Sequence, residues 1–222
     1  MSKIQNFDNL QTLTEDQFNL LKVIQTEYKM GMLALNSLGA HTLTVYGGSM
    51  VQKTDLAYHN VLKISELLSK KGWGIASGGG PGIMTAALDG AKKGGSKAIA
   101  FCIDIPGESP APNRDVSLVF TQFSVRKYIL RQSDAFVFAP GGLGTLDELM
   151  ELLTLIKTNK YPQKPLFLLD SKFWSGYMKW FEEILLNERK VVAQDFLKLF
   201  ILIDKPEDII KHIYGNQNKI TG

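Results

Sequence analysis

Three features of this chain predict a single α/β domain built on a doubly wound, mostly parallel sheet. Short apolar runs rich in aromatic and β-preferring residues alternate with stretches of helical periodicity from Thr42 onward, which is the pattern of repeated strand–helix units. Three of those runs end directly in glycine clusters, GGS after Tyr46, SGGGPG after Ala76 and PGGLG after Ala139, as happens where a parallel sheet receives a ligand at its carboxyl edge. No shift in composition divides the chain. One domain is therefore expected over residues 39–222, preceded by a helical extension over residues 1–38.

Taken in order, the first 15 or so residues are polar and expected to be loosely held. From Glu15 to about Leu38, Phe18, Leu21, Ile24, Tyr28, Met32 and Leu35 recur on overlapping helical faces. This helix precedes the first strand; it either packs on the sheet or meets a second subunit, and packing is the reading favoured. Thr42 to Tyr46 is the first strand and about Thr54 to Lys71 a helix. Trp73 to Ala76 is the second strand, followed by a helix from Ile83 to about Lys93, with Pro81 suited to the loop before it. Lys97 to Ile105 is the third strand. Pro106 to Asp115, with three prolines and a glycine, reads equally as a lid over the same sheet edge or as a plain surface connection. Val116 to Phe120 is a short strand, Phe123 to Gln132 a short helix, and Asp134 to Ala139 a buried strand. After the helix that follows come a strand at Pro165 to Leu169, a helix at Phe173 to Leu186, a strand at Leu199 to Ile203 and a last helix. The aromatic residues Trp174, Tyr177, Trp180 and Phe181 suit core or interface better than a cofactor site.

The composition is that of an ordinary globular chain: 222 residues, 45% hydrophobic and 21% charged, enough for one full core. The net charge of +3 is mild and its lysines are dispersed, so neither a nucleic-acid stripe nor a polybasic tail is present. The lone Cys102, in AIAFCI, excludes an intrachain disulfide and any multi-cysteine metal site; its ordinary reading is a buried apolar residue. The N-terminus has no apolar signal core and no run approaches a membrane span, so a cytoplasmic protein without a membrane or nucleic-acid partner is expected. His41, His59 and His212 stand in no metal-ligand spacing, and no metal is expected.

The most informative stretch is PGGLGTLDE, Pro140 to Glu148. It joins the buried strand to a helix in which Leu146, Leu149, Met150, Leu152, Leu153 and Ile156 recur at helical spacing, with Thr145 as the expected N-cap. Gly141, Gly142 and Gly144 leave no side chain between backbone and ligand, and a helix start behind them offers free N–H groups and the positive end of its dipole. That is a phosphate cradle. The acids Asp147 and Glu148 either serve the helix dipole or handle developing positive charge, or a water, beside a bound phosphate ester. The cations Arg126 and Lys127 lie just upstream in FSVRKYILR, where Phe123, Tyr128 and Ile129 are expected to face inward. Arg126 alone would more often be a solvated charge; beside glycine loops it becomes a partner for phosphate or carboxylate.

Other glycine-loop chemistries do not fit. Neither loop gives G-x-G-x-x-G with an acid about 20 residues on, no G-x-x-x-x-G-K-[ST] occurs, and there is no G-x-S-x-G elbow. Dinucleotide binding, P-loop NTP hydrolysis and the common esterase mechanism all lose support.

The motif PGGLGTLDE, the preceding Arg126–Lys127 pair and SGGGPGIMTAALDGA, Ser77 to Ala91, resemble the signatures of the LOG (Lonely Guy) family. The resemblance runs from about Thr42 to Leu169 and is closer to the longer bacterial branch, since Phe123, Ser124 and Val125 stand where plant-type members carry Met-His. It implies a Rossmann-like nucleotide-binding fold, usually a homodimer or larger assembly with sites at the subunit interface, and no cofactor. It also implies phosphoribohydrolase activity, in which a nucleoside 5′-monophosphate such as AMP or a cytokinin riboside monophosphate is cut to free base and ribose 5-phosphate. Carried over, Arg126 and Glu148 are the catalytic pair. Gly141, Gly142, Gly144 and Thr145 hold the phosphate, Ser77, Gly78, Gly79 and Gly80 line the nucleotide site, and Gly47, Ser49 and Lys127 join them in binding substrate. The family's older "lysine decarboxylase" label is set aside, because nothing in the sequence marks a pyridoxal phosphate site. The alternative is a non-catalytic nucleotide-binding or carrier protein on the same fold, for which the Arg126–Glu148 pair would have no use.

Overall fold

A computed structural model of the chain describes residues 12–103 and 114–215. Its centre is a seven-stranded sheet formed by β1 (Thr42–Tyr46), β2 (Gly74–Ser77), β3 (Ala98–Ile103), β4 (Val116–Phe120), β5 (Ala135–Phe138), β6 (Leu166–Leu169) and β7 (Ile201–Ile203). The order is β4-β3-β2-β1-β5-β6-β7 and every neighbouring pair is parallel. The chain winds outward from β1 to β4, returns to place β5 on the other side of β1, and winds outward again. This is the predicted doubly wound architecture, and all of the sheet is parallel rather than most of it.

The helices are α1 (Glu15–Asn36), α2 (Leu56–Ser69), α3 (Ile83–Gly94), α4 (Phe123–Leu130), α5 (Leu143–Lys157), α6 (Ser171–Trp180) and α7 (Pro206–Tyr214). They cover both faces because alternate strand residues point oppositely. Leu43 and Val45 of β1 enter a core shared with α2, α3 and α7, whereas Tyr46 enters one shared with α1, α4, α5 and α6. Thr44, fully buried on the same face as Tyr46, donates to the Leu130 carbonyl at 2.8 Å and meets the Ser133 hydroxyl at 2.7 Å, so its polar group is satisfied.

Several boundaries differ from expectation for visible reasons. β2 begins one residue late because the Trp73 N–H is spent on the Leu68 carbonyl in the turn after α2, and it runs on to Ser77, which pairs with Val45. Asp55, whose carboxylate accepts the Ala57 N–H at 2.7 Å, starts α2 two residues later than Thr54. The helix expected at Phe173 to Leu186 begins at Ser171, capped by Asp170, and changes to a π-helical stretch over Phe181–Glu188. β7 is shorter than expected because Leu199 and Phe200 follow a 3₁₀ turn over Gln194–Lys198. Most of the loop Pro106 to Asp115 lies outside the described residues; its last residue, Asp115, accepts the Ala98 N–H at 2.8 Å and registers β4 beside β3.

α1 opens with a reciprocal capping box between Thr14 and Gln17. It packs by its C-terminal half: Leu35 and Gly31 are buried, and Ile24, Tyr28 and Met32 lie against the core, while Phe18 and Leu21, expected on the same faces, are exposed. Trp174 and Phe181 are core residues, as the aromatic run suggested, whereas Trp180 is nearly half exposed. Among the described residues no helix is long and apolar enough to cross a membrane.

Candidate active site

The strand order reverses between β1 and β5, so the loops leaving their carboxyl ends diverge there and open a crevice. Hydrogen bonds lace three glycine loops together at that point. The Gly48 N–H donates to the Pro140 carbonyl at 2.9 Å, and the Gly48 carbonyl accepts the Ile83 N–H at the start of α3 at 3.1 Å. The crevice is a cavity of about 310 Å³, within the range of small-molecule sites (~300–1,000 Å³). Gly47, Gly48 and Ser49 line it from β1, Gly78, Gly79 and Gly80 from β2, and Gly142, Gly144 and Thr145 from α5. Among the described residues Arg126 and Glu148 are the charged side chains in its wall.

Two of these glycines show why the sequence needs them. Gly79 has φ of +78°, and a Cβ there would lie 2.5 Å from Cys102 Sγ; a side chain is excluded twice, by conformation and by space. A Cβ on Gly78 would lie 2.2 Å from Arg126 Nη2, so the bare backbone there gives the guanidinium its seat. Gly142 and Gly144 differ. Nothing lies within 4 Å of a Cβ built on either, and their missing side chains leave room in the cavity itself.

α5 begins at Leu143 with Gly142 as its N-cap and no side-chain cap. Thr145 is therefore not the N-cap expected from the sequence; it lies inside the first turn, buried. The shift has two consequences. The first-turn N–H groups of a 15-residue helix face the cavity without a capping side chain, an arrangement that favours an anion. Asp147 and Glu148 fall beyond the first turn, which holds no acid, so service to the helix dipole does not account for them.

Arg126 is buried and held at two points. Its Nε donates to the Phe101 carbonyl at 2.6 Å and its Nη1 to Glu148 Oε1 at 3.3 Å. Glu148 pays for its own burial: loss of water raises its pKa from the ordinary 4.5 to about 7, against the pull of Arg126 and with a further push from Asp147. The result is a carboxyl group that exchanges its proton near neutral pH, as general acid–base work requires.

Not every residue expected at the site reaches it. Ser77 is fully buried and donates to the Val45 carbonyl at 3.0 Å. Gly141 makes room for packing, since a Cβ there would lie 2.2 Å from Thr145 Oγ1. Lys127 does not line the cavity; it binds Asp147 at 2.9 Å and Glu151 at 2.9 Å on α5. Phe123 does not face inward; it is 54% exposed at the cavity wall. The sequence reading also missed Gly48, Met84, Cys102, Ile103 and Leu143 as cavity residues. Gly48 carried a signal, lying between two chosen neighbours. Cys102 and Ile103 carried none, because only the pairing of β3 with β2 brings that strand end beside Gly79.

Among the described residues no group of three His, Cys, Asp or Glu side chains could hold a metal ion, and His41, His59 and His212 each pack on aromatic rings. Among the described residues no lysine lines the cavity; pyridoxal phosphate chemistry uses one for its Schiff base.

The fold and the cavity define a Rossmann-like protein with a glycine-lined, anion-favouring site and a buried Arg–Glu pair. The sequence model of the family described as "Possible lysine decarboxylase" matches residues 84–213, and the chain belongs to this family, the LOG family of the motif resemblance. Two proteins of Oryza sativa subsp. japonica, each named "Probable cytokinin riboside 5′-monophosphate phosphoribohydrolase", are similar to it. One is 25% identical over 181 residues, covering 76% of this chain and 70% of the relative. The other is 28% identical over 160 residues, covering 70% and 69%. Among solved structures, the molybdenum cofactor binding protein of Rippkaea orientalis superposes with a TM-score of 0.59 at 24% identity, over 83% of this chain and 99% of that one. The Moco carrier protein of Chlamydomonas reinhardtii gives 0.56 at 20% identity, over 82% and 100%. These two likenesses speak to the fold alone.

Proposed function

We propose that the protein is a phosphoribohydrolase that cleaves the N-glycosidic bond of a nucleoside 5′-monophosphate, AMP or a cytokinin riboside monophosphate, releasing free base and ribose 5-phosphate. The observation that carries this reading is Glu148, a buried carboxyl with its pKa near 7, in the same cavity as an uncapped helix start lined by Gly142 and Gly144. A phosphate at the helix start would anchor the ribose with C1′ toward Glu148. As the C1′–N bond breaks, positive charge grows on the ribose and the ionised carboxylate stabilises it. Water then adds its hydroxyl to C1′; its proton passes to Glu148 and leaves with the base. Arg126, tied to the Phe101 carbonyl, holds Glu148 in place and favours its charged form. The family membership and the names of the rice relatives support the same reading.

The test is incubation of purified protein with AMP, other nucleoside monophosphates, isopentenyladenosine monophosphate, the matching nucleosides and lysine, with chromatographic detection of products. Base is expected from one or more monophosphates and not from their nucleosides. Absence of base release from every nucleotide, together with tight nucleotide binding by calorimetry, would contradict hydrolysis and favour a carrier.

A further inference from the structure

The position of Lys127 carries an inference that rests on the proposed hydrolase reading and goes beyond it. Lys127 is adjacent in sequence to Arg126, yet the two side chains serve different places. Arg126 reaches the cavity; the Lys127 ammonium lies 3.1 and 2.9 Å from the two carboxylate oxygens of Asp147 and 2.9 Å from Glu151 Oε2. Glu151 is also paired with Arg131. Burial works against the charge of Lys127, but Glu151 and Asp147 outweigh it and hold the pKa above the ordinary lysine value. Behind Glu148 a gap of only about 10 Å³ is lined by Tyr46, Lys127, Arg131, Glu148, Glu151 and Leu152, about the least that holds one water. The charges around this gap therefore act on Glu148 with little intervening solvent.

We propose that Lys127 is a positioning residue rather than a substrate ligand: by clamping Asp147 and Glu151 to α4, it fixes the turn of α5 that presents Glu148 to Arg126 and neutralises the two carboxylates flanking it. The ionisable groups facing Glu148 are Arg126, Lys127 and Arg131 from α4 and its end, Asp147 and Glu151 from α5, and Tyr46 from β1. Of these, Lys127 alone bridges both α5 acids among the described residues. Removing its charge leaves Asp147 free to repel a second negative charge at Glu148.

The experiment is the pH dependence of nucleotide cleavage by wild type, Lys127→Met, Lys127→Arg and the double variant Lys127→Met/Asp147→Asn. For Lys127→Met, kcat near neutral pH should fall about fivefold and KM change less than about twofold, with the acid limb of kcat moving up by about one pH unit. Lys127→Arg should restore the wild-type profile, and the double variant should bring the limb back. A tenfold or larger rise in KM with an unmoved limb would make Lys127 a substrate ligand and overturn the proposal. A fall in kcat without a moved limb would overturn it too, because loosened helix packing alone would do that. The Glu148 titration is followed in parallel by carbon-13 NMR of the glutamate carboxyls without nucleotide. If no nucleotide is cleaved, the hydrolase reading fails, and the presence or absence of the same shift in the NMR titration still decides the role of Lys127.

Discussion

Glu148 is a residue whose local environment works against it. The folded state raises its pKa from 4.5 to about 7 mainly through burial, so the native protein binds a proton there that the unfolded chain has released. The sign follows from linkage: this contribution to stability is fully present below about pH 4.5 and is lost as pH rises through about 7. A shift of this size corresponds to roughly 3 kcal/mol, and with the Glu148 side chain only 12% exposed solvent screening takes little from it. Glu148→Gln removes the titration. In urea unfolding, the stability of the variant relative to wild type should therefore rise by about 3 kcal/mol between about pH 4 and about pH 8. A constant difference across that range would mean that Glu148 titrates normally in the fold.

At the scale of elements, the loop from β5 to α5 separates glycines of two kinds. Gly142 has φ of −98°, open to any residue, and open space where a Cβ would go, whereas a Cβ on Gly141 would strike Thr145. Gly142→Ala should leave stability within about 0.5 kcal/mol yet raise KM for the nucleotide about tenfold or more, because its methyl would occupy the proposed anion position at the helix start. Gly141→Ala should lower the unfolding midpoint instead. If Gly142→Ala leaves KM unchanged, phosphate does not sit there. The strand, glycine loop and helix were all legible in PGGLGTLDE, because apolar runs and glycines report backbone requirements directly. The start of α5 was not. Capping preference pointed to Thr145, but this helix leaves its first turn without a side-chain cap and exposes Leu143 at 86%. Nor could adjacency in sequence reveal that Arg126 and Lys127 part company, since successive residues on a helix point about 100° apart.

For the whole molecule, the sheet order explains why residues far apart in sequence meet. Winding outward twice from β1 and β5 brings the loops at Gly48, Gly78 and Gly142 to one edge, and alternating apolar runs were sufficient to predict that winding. Contributions such as Cys102 and Ile103 depend on which strands become neighbours, and no local signal encodes that. The same architecture occurs in proteins described as a molybdenum cofactor binding protein and a Moco carrier protein, so the fold does not choose between catalysis and carriage; the proposed role of the Arg126–Glu148 pair is what a measurement must decide. The most direct measurement is a side-by-side comparison of wild type and Glu148→Gln, following base release from AMP and nucleotide affinity by calorimetry in the same preparations. Affinity is expected to stay within a few-fold of wild type and turnover to fall by at least about 10²-fold. Normal turnover by Glu148→Gln would contradict the proposed role of Glu148.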